Sequence, residues 1–458
     1  MGLIDRLFQK QINAAIQSAL GKPLTGSMMQ QGIAIYGQNN QQTYVDSYVT
    51  NDDIYSIIRK IAKTAAMVPL QVYRVKDEGA LKDYQFVSKQ HNYTAQSLLR
   101  KELLKRKALE PVGNNDKLQQ LINNPNPVYS STEFREGVYT MRLATGNTYV
   151  YMAVLDAGVN SGKPVELWLM PSQYTQPIIT QSFPRAIVGY QLQINGIDIL
   201  TTTDVMHIRD FNPDFDWNGG ELIGQSPLRA AHKIKTRSDA ETDYSVAAFQ
   251  NSGVNGIVYR EDAVGANSEA LGKLKADYYN EAQGISNVRK NLFVAGKWGF
   301  TQVGISPVDM NLIESEKMTF KKLCNVYGVS DVLFNNSDAS TESNVKEMVK
   351  QLYTNAALPE VYAYRDALNK YVTPAFGADY YIDCDVTAIP ELQDDMKQMA
   401  QIFRDLPVMI PNLIMNEFGF GKMDDPLMDK VYIKQGYQPL EDMTIEPLPN
   451  TGDYGEGN

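Results

Sequence analysis

Ser226-Pro227-Leu228-Arg229-Ala230-Ala231-His232-Lys233-Ile234-Lys235-Thr236-Arg237-Ser238-Asp239-Ala240-Glu241 begins the stretch whose reading decides how this chain is organised. Ser226 is a preferred helix cap, and Pro227 takes the first helical position, where its missing N–H leaves no bond unmade. The run beyond has few breakers and ends at Asn251-Ser252-Gly253, a helix stop, so a helix is expected over 228–250. A segment of strand–helix–strand character follows at 254–306. A second helix is expected over 307–327, after Ser306-Pro307 and before Gly328. Asn335-Asn336-Ser337-Asp338-Ala339-Ser340-Thr341 has no apolar period and reads as a polar loop, with another long helix beyond it. Helix, small insert, returning helix and loop describe a shaft carrying a small domain rather than an enzyme pocket.

Upstream of the shaft, Ile54, Ile57, Ile58, Ile61, Ala65 and Ala66 recur at helical spacing, with Asp52 or Asp53 available as the cap. A strand is expected over 68–75. Residues 76–113 are highly charged and read as an inserted loop or hairpin. Asn124-Pro125-Asn126-Pro127 breaks the chain sharply, and Ser131-Thr132-Glu133-Phe134 caps a helix to about Thr145. Gly146-Asn147 turns into a strand at 148–155, with further strands at 167–170, 187–194 and 204–210. Residues 50–225 therefore read as an α+β domain. Residues 1–49 are rich in Gln and Asn and read as a partly mobile arm. Downstream, 341–371 is helical with an interruption at Pro359, and helices follow at 387–406 and 412–418. The Pro/Gly/acidic tail at 437–458 is expected to be disordered.

At 458 residues the chain exceeds what one core usually serves, so at least two units are expected. No run of eighteen apolar residues occurs. The first twenty residues lack a signal-peptide core, and Arg6 stands where a myristoylation motif wants Ser or Thr. Two cysteines, Cys324 and Cys384, cannot build a disulfide framework or a zinc site and read as small buried apolar residues. The net charge of −10 is uneven: residues 376–458 hold 16 acidic against 5 basic side chains, which leaves the rest near neutrality. Either solubility or the needs of a partner explains that asymmetry.

Catalytic motifs fail one by one. Between Gly265 and Gly272-Lys273 lie six residues, two too many for a Walker loop, and Leu274 stands where Ser or Thr is needed. His91, His207 and His232 lie far apart without metal spacing; His207 fits an alternating buried strand. No serine completes a nucleophile elbow. Asp383/Asp385 and Asp424/Asp425 lack a third ligand and read as solvated turn residues. No enzyme, cofactor or metal is expected. No basic stripe accompanies the tyrosines, which argues against sequence-specific DNA binding. A wall past which DNA slides has the opposite need, because each tight Lys–phosphate pair would act as a brake.

Seven short stretches in order resemble one family. Leu121-Ile122-Asn123-Asn124-Pro125-Asn126-Pro127 with Glu133-Phe134 is similar to the opening of phage portal proteins, and Gly146-Asn147-Thr148-Tyr149 resembles their G-N-x-Y turn. Glu166-Leu167-Trp168-Leu169-Met170-Pro171, Asp204-Val205-Met206-His207-Ile208-Arg209 and Gly224-Gln225-Ser226-Pro227-Leu228 resemble the next three motifs. Gly328-Val329-Ser330-Asp331-Val332-Leu333 and Met415-Asn416-Glu417 resemble the last two, with Ser330-Asp331 in place of the usual prolines.

The resemblance implies a portal-type α+β subunit with wing, stem helices, α/β clip and helical crown, assembling into a ring, a dodecamer in that family. Residues 50–225 would be the wing, 226–253 and 307–328 the stem, and 254–306 the clip. Residues 329–343 would be the tunnel loop, 344–375 a long helix toward wing and crown, and 376–436 the crown. The implied function is the channel at one capsid vertex for genome packaging, head–tail joining and DNA ejection. A capsid or baseplate protein without a DNA channel is the alternative. Channel candidates are Asn335, Asn336, Ser337, Asp338, Ser340 and Thr341, polar without fixed basic charge. Docking candidates on the clip are Tyr278, Tyr279, Arg289, Lys290 and Lys297. Lys233, Lys235, Arg237, Asp239 and Glu241 mix charges along the stem; ion pairs between copies and a solvated face both fit. The implied partners are further copies of the chain, the terminase large subunit, the major capsid protein, a head-completion or adaptor protein, and double-stranded DNA held without sequence preference. No membrane partner is implied, and the implied location is the virion, with assembly in the host cytoplasm.

Overall fold

Ile54, Ile57, Ile58 and Ile61 are fully buried along one face of the helix Asp52–Met67, each burial worth about 1.5–3 kcal/mol. The cap is Asn51 rather than either aspartate: its side chain accepts from the Ile54 N–H, and Asp52 and Asp53 sit in the first turn. The computed structural model describes residues 33–35, 39–88, 95–155, 161–180, 184–194, 196–215, 219–251, 256–260, 272, 298–302, 312–334, 342–386, 389–392, 408–417, 423, 425–433 and 438–439. They fall into two compact units, one within Met1–Val75 and Glu110–Ala388, the other within Lys76–Leu109 and Ile389–Asn458.

In the larger unit, Asp52–Met67 packs against the helix Ser131–Thr145. Ser130, one residue before the expected cap, closes a capping box with Glu133, and Gly146 ends the helix in the left-handed region. Buried Arg135 donates to the Val68 carbonyl and ties the two helices together. The chain then enters a three-stranded antiparallel sheet, with Asn147–Val154 between Pro164–Met170 and Val205–Arg209. A second antiparallel sheet runs in the order Ile33–Ile35, Thr175–Thr180, Ile187–Leu192, Asp198–Thr201. Pro177 hid the Thr175–Thr180 strand from the sequence. Among the described residues, Ile33–Ile35 pairs with Ile178, Ile179 and Thr180 and does not reach Pro177, whose missing donor would weaken a ladder.

The shaft is helical over Pro227–Ala230 and His232–Asn251, and the returning helix, Leu312–Val326, packs along it. Strands Gly256–Arg260 and Trp298–Gln302 pair antiparallel between them in sequence. The following helical segment is not broken at Pro359. Helix Glu342–Gln351 passes through a π-helical stretch, Leu352–Ala357, into Leu358–Tyr371. The Leu358 N–H reaches back five residues to the Tyr353 carbonyl, and this wider turn accommodates a proline that cannot donate and would crowd the carbonyl four residues back. Tyr380–Cys384 then pairs antiparallel with Leu70–Val75.

Three further expectations differ from the structure. Residues 39–50 of the supposed arm form a helix, Asn39–Thr50, which packs on Asp52–Met67 through the Tyr48–Tyr55 ring contact. The charged excursion is a pair of packed helices, Glu78–Ser88 and Ala95–Ala108, in the smaller unit; Ala80, Tyr84 and Val87 supply the buried face. Asp383 is no solvated turn residue: it is buried in a strand and pairs with Arg365 at 3.1 Å. The smaller unit also holds the helix Pro411–Glu417 and a small sheet of Val408–Met409, Tyr432–Ile433 and Gln438–Pro439. Cys324 and Cys384 are buried and form no disulfide.

Candidate functional site

Two glycines make the root of the shaft possible. A Cβ on Gly224 would lie 1.9 Å from the Gly146 carbonyl oxygen, and one on Gly146, whose φ is +73°, would lie 2.4 Å from the Gln225 backbone. Two backbone segments therefore cross in contact, which only glycine permits. Asn147 fastens the crossing. Its side chain is fully buried, donates to the Thr145 and Gly224 carbonyls at 3.0 Å each, and accepts the Gly224 N–H at 2.7 Å.

The Asn147 oxygen also lies 3.1 Å from His207 Nε2, whose proton it accepts. His207 stacks on Tyr149 at 4.3 Å between ring centres. Burial, with Arg209 and Lys370 nearby, pushes the His207 pKa down to about 3, so the ring is a neutral donor. Ser226 completes the joint: its hydroxyl donates to the Ala144 carbonyl and accepts the Leu228 N–H, capping the shaft. The Gly146 turn, the Val205–Arg209 strand and the Gly224–Leu228 segment thus meet at one asparagine.

A charged cluster stands beside this joint. Arg142 bridges Asp210 at 2.5 Å and Glu360 at 2.7 Å, linking the Ser131–Thr145 and Leu358–Tyr371 helices. Burial pushes the Glu360 carboxyl up to about 7 against the pull of Arg142, and Asp210 adds to the rise. One guanidinium shared by two desolvated carboxylates favours holding a proton.

Further along, the shaft is clasped by the start of Asp52–Met67. Asn51 Nδ2 donates to Ser238 Oγ at 3.1 Å and to Asp239 Oδ1 at 2.8 Å, and Ser238 donates to Asp53 at 2.9 Å. Among the described residues no His, Cys, Asp or Glu group is arranged to hold a metal ion, and no helix is long and apolar enough to cross a membrane. A cleft of about 590 Å³ is lined by Asn114, Lys117, Gln120, Asn124 and Lys163 together with the apolar Leu121, Val165 and Phe376.

The model of the family described as "Phage portal protein" matches residues 103–412, which is more than half of the chain. The chain belongs to the phage portal protein family. As a portal protein it forms the ring-shaped channel at one capsid vertex, used for genome packaging, head–tail joining and DNA ejection. The portal family is a structural one.

Among relatives of this portal protein, an uncharacterized protein of Rickettsia bellii (strain RML369-C) is 22% identical over 364 residues, covering 78% of this chain and 83% of its own. One of Rickettsia felis (strain ATCC VR-1525 / URRWXCal2) is 24% identical over 288 residues, covering 61% and 71%. The fold is similar to a chain in the neck of a native gene transfer agent particle computed with C12 symmetry, at a TM-score of 0.57 and 19% identity, covering 86% of this chain and 96% of that one. A chain of the native gene transfer agent virion is similar at the same TM-score and 18% identity, covering 90% and 100%.

In this portal subunit the stem candidates divide. Lys233 is exposed. Lys235 pairs with Asp239 and Arg237 with Glu241, each at 2.8 Å and each within the same helix. Ser315 of the returning helix donates to Glu241 and accepts from Arg237, so this second pair ties the two shaft helices together inside one subunit. Burial works to raise the Glu241 pKa, but the hydrogen bonds from Ser315 and Arg237 outweigh it and hold the carboxyl below its usual range. Channel candidates Asn335, Asn336, Ser337, Asp338, Ser340 and Thr341 lie outside the described residues, as do Tyr278, Tyr279, Arg289, Lys290 and Lys297. Arg142, Glu360 and Asn51 escaped notice in the sequence. The capping role of Asn51 was open to discovery there, since asparagine directly before an apolar period is a start signal.

Proposed function

We propose that twelve copies of the chain close the portal ring. Residues 226–253 and 307–328 serve as its stem, 254–306 as the clip that docks the terminase large subunit and later an adaptor protein, and 50–225 as the wing. The polar segment 329–343 lines the narrowest part of the channel. Residues 344–375 form the long helix toward wing and crown, 376–436 the crown, and 437–458 an acidic tail. The major capsid protein surrounds the ring, assembly takes place in the host cytoplasm, and DNA passes without sequence readout. The subunit itself carries no enzymatic activity.

The observation that supports this reading above the others is the family match over 103–412, which spans shaft, insert, returning helix and loop in one unbroken stretch. The C12 symmetry of the gene transfer agent neck, whose chain has a similar fold, supports the subunit count. Negative-stain microscopy of the purified protein tests it. Rings with a central hole of duplex width are expected; a shell, a sheet or a strict monomer would overturn the reading. ATPase and nuclease assays on the same preparation should both stay at background.

A further inference from the structure

Two asparagines tie the shaft helix to core elements, and the returning helix packs further along it. At its root Asn147 bonds both the carbonyl and the N–H of Gly224, two residues before the Ser226 cap. On the second turn of His232–Asn251, Asn51 donates to Ser238 and Asp239. Both asparagines are buried, and each fastens the shaft to an element already anchored in the core: Asn147 to the sheet, Asn51 to the Asp52–Met67 helix. Between the two points the helix is interrupted at buried Ala231, which keeps its hydrogen bonds to Pro227 and from Lys235. The first turn, Pro227–Ala230, leaves helical geometry at Ala231 before the long helix begins, so the root alone does not fix the direction of His232–Asn251.

Resting on the ring proposed above, we infer that Asn51 and Asn147 form a two-point clasp that sets the tilt of the shaft helix and, through it, how many copies close the ring. Magnitudes make this reasonable. Closed rings of twelve and thirteen copies differ by only about 2° per subunit, roughly 30° against 28°. The long part of the shaft has 20 residues. At the standard rise that is about 30 Å, and a 2° tilt moves its far end by about 1 Å. Asn51→Ser removes two bonds at the clasp and leaves only that from Ser238 to Asp53. Neither asparagine needs to touch a neighbouring copy; both are positioning residues.

The test uses full-length protein and compares ring mass by mass photometry or native mass spectrometry. Asn51→Ser is the informative variant, because serine still caps Asp52–Met67 but is too short to donate to Ser238 and Asp239. Asn147→Ser opens the root. Ile57→Val, a core change on the same helix, controls for general loss of stability. Wild type should give one ring mass. Asn51→Ser should spread it over two or more subunit counts or open arcs, with a thermal midpoint lowered no more than in Ile57→Val. A ring mass for Asn51→Ser identical to wild type overturns the inference, as does the same spreading in Ile57→Val. If Asn147→Ser fails to fold, Asn51→Ser alone decides. Wild type without rings would overturn the proposed ring instead.

Discussion

Gly224 shows how little room the joint has. An added methyl would fall on the Gly146 carbonyl, a backbone atom that cannot swing aside. Gly224→Ala is expected to cost more than about 4 kcal/mol, read as loss of soluble folded protein or a collapse of the denaturation midpoint. Glu360 gives a prediction with a sign. Its carboxyl sits near 7 in the folded protein against about 4.3 when unfolded, so the folded state holds the extra proton between those values. The stability this group contributes is therefore fully present below about pH 4.3 and is lost as pH rises through 7. Glu360→Gln should match wild type near pH 4.5 and unfold at a higher temperature than wild type at pH 8, the difference widening across that window. A variant that tracks wild type at every pH would show that Arg142 keeps Glu360 ionised.

At the scale of elements, local chemistry explains most starts and stops. Ser130 and Glu133 exchange bonds at the head of Ser131–Thr145, and Ser130→Ala should lower stability by about 1 kcal/mol in urea unfolding with an unchanged slope. The helices that were legible, Asp52–Met67 and Ser131–Thr145, carry a continuous apolar face. Ala95–Ala108 was hidden because six of its 14 residues are charged, and Glu78–Ser88 because only Ala80, Tyr84 and Val87 mark its buried face. The π-helical stretch was invisible for another reason. Pro359 announces a break, and only the backbone shows that a five-residue hydrogen bond carries the helix past it.

For the whole molecule, charge and the polar loop matter most. If 335–341 lines the channel, deleting part of it should leave rings intact by negative stain while packaged DNA per particle falls; normal packaging by the deletion would remove that assignment. The two shaft helices were open to inspection in the sequence, because caps, prolines and apolar period act over a few residues. The same holds for the α+β character of 50–225 and for the alternation that places His207 in a buried strand. What Asn147 does was beyond such reading: its partners, His207 and Gly224, lie 60 and 77 residues along the chain. Arg142 likewise meets Glu360 only after 218 residues. Short-range patterns determined which segments become helix or strand, since those choices are settled by neighbours within a turn or a pleat. Which polar groups are buried together, and so how the shaft is held and where a proton is kept, only the tertiary structure decided, because a hydrogen bond acts over about 3 Å and chain separation says nothing about that distance until the backbone has closed.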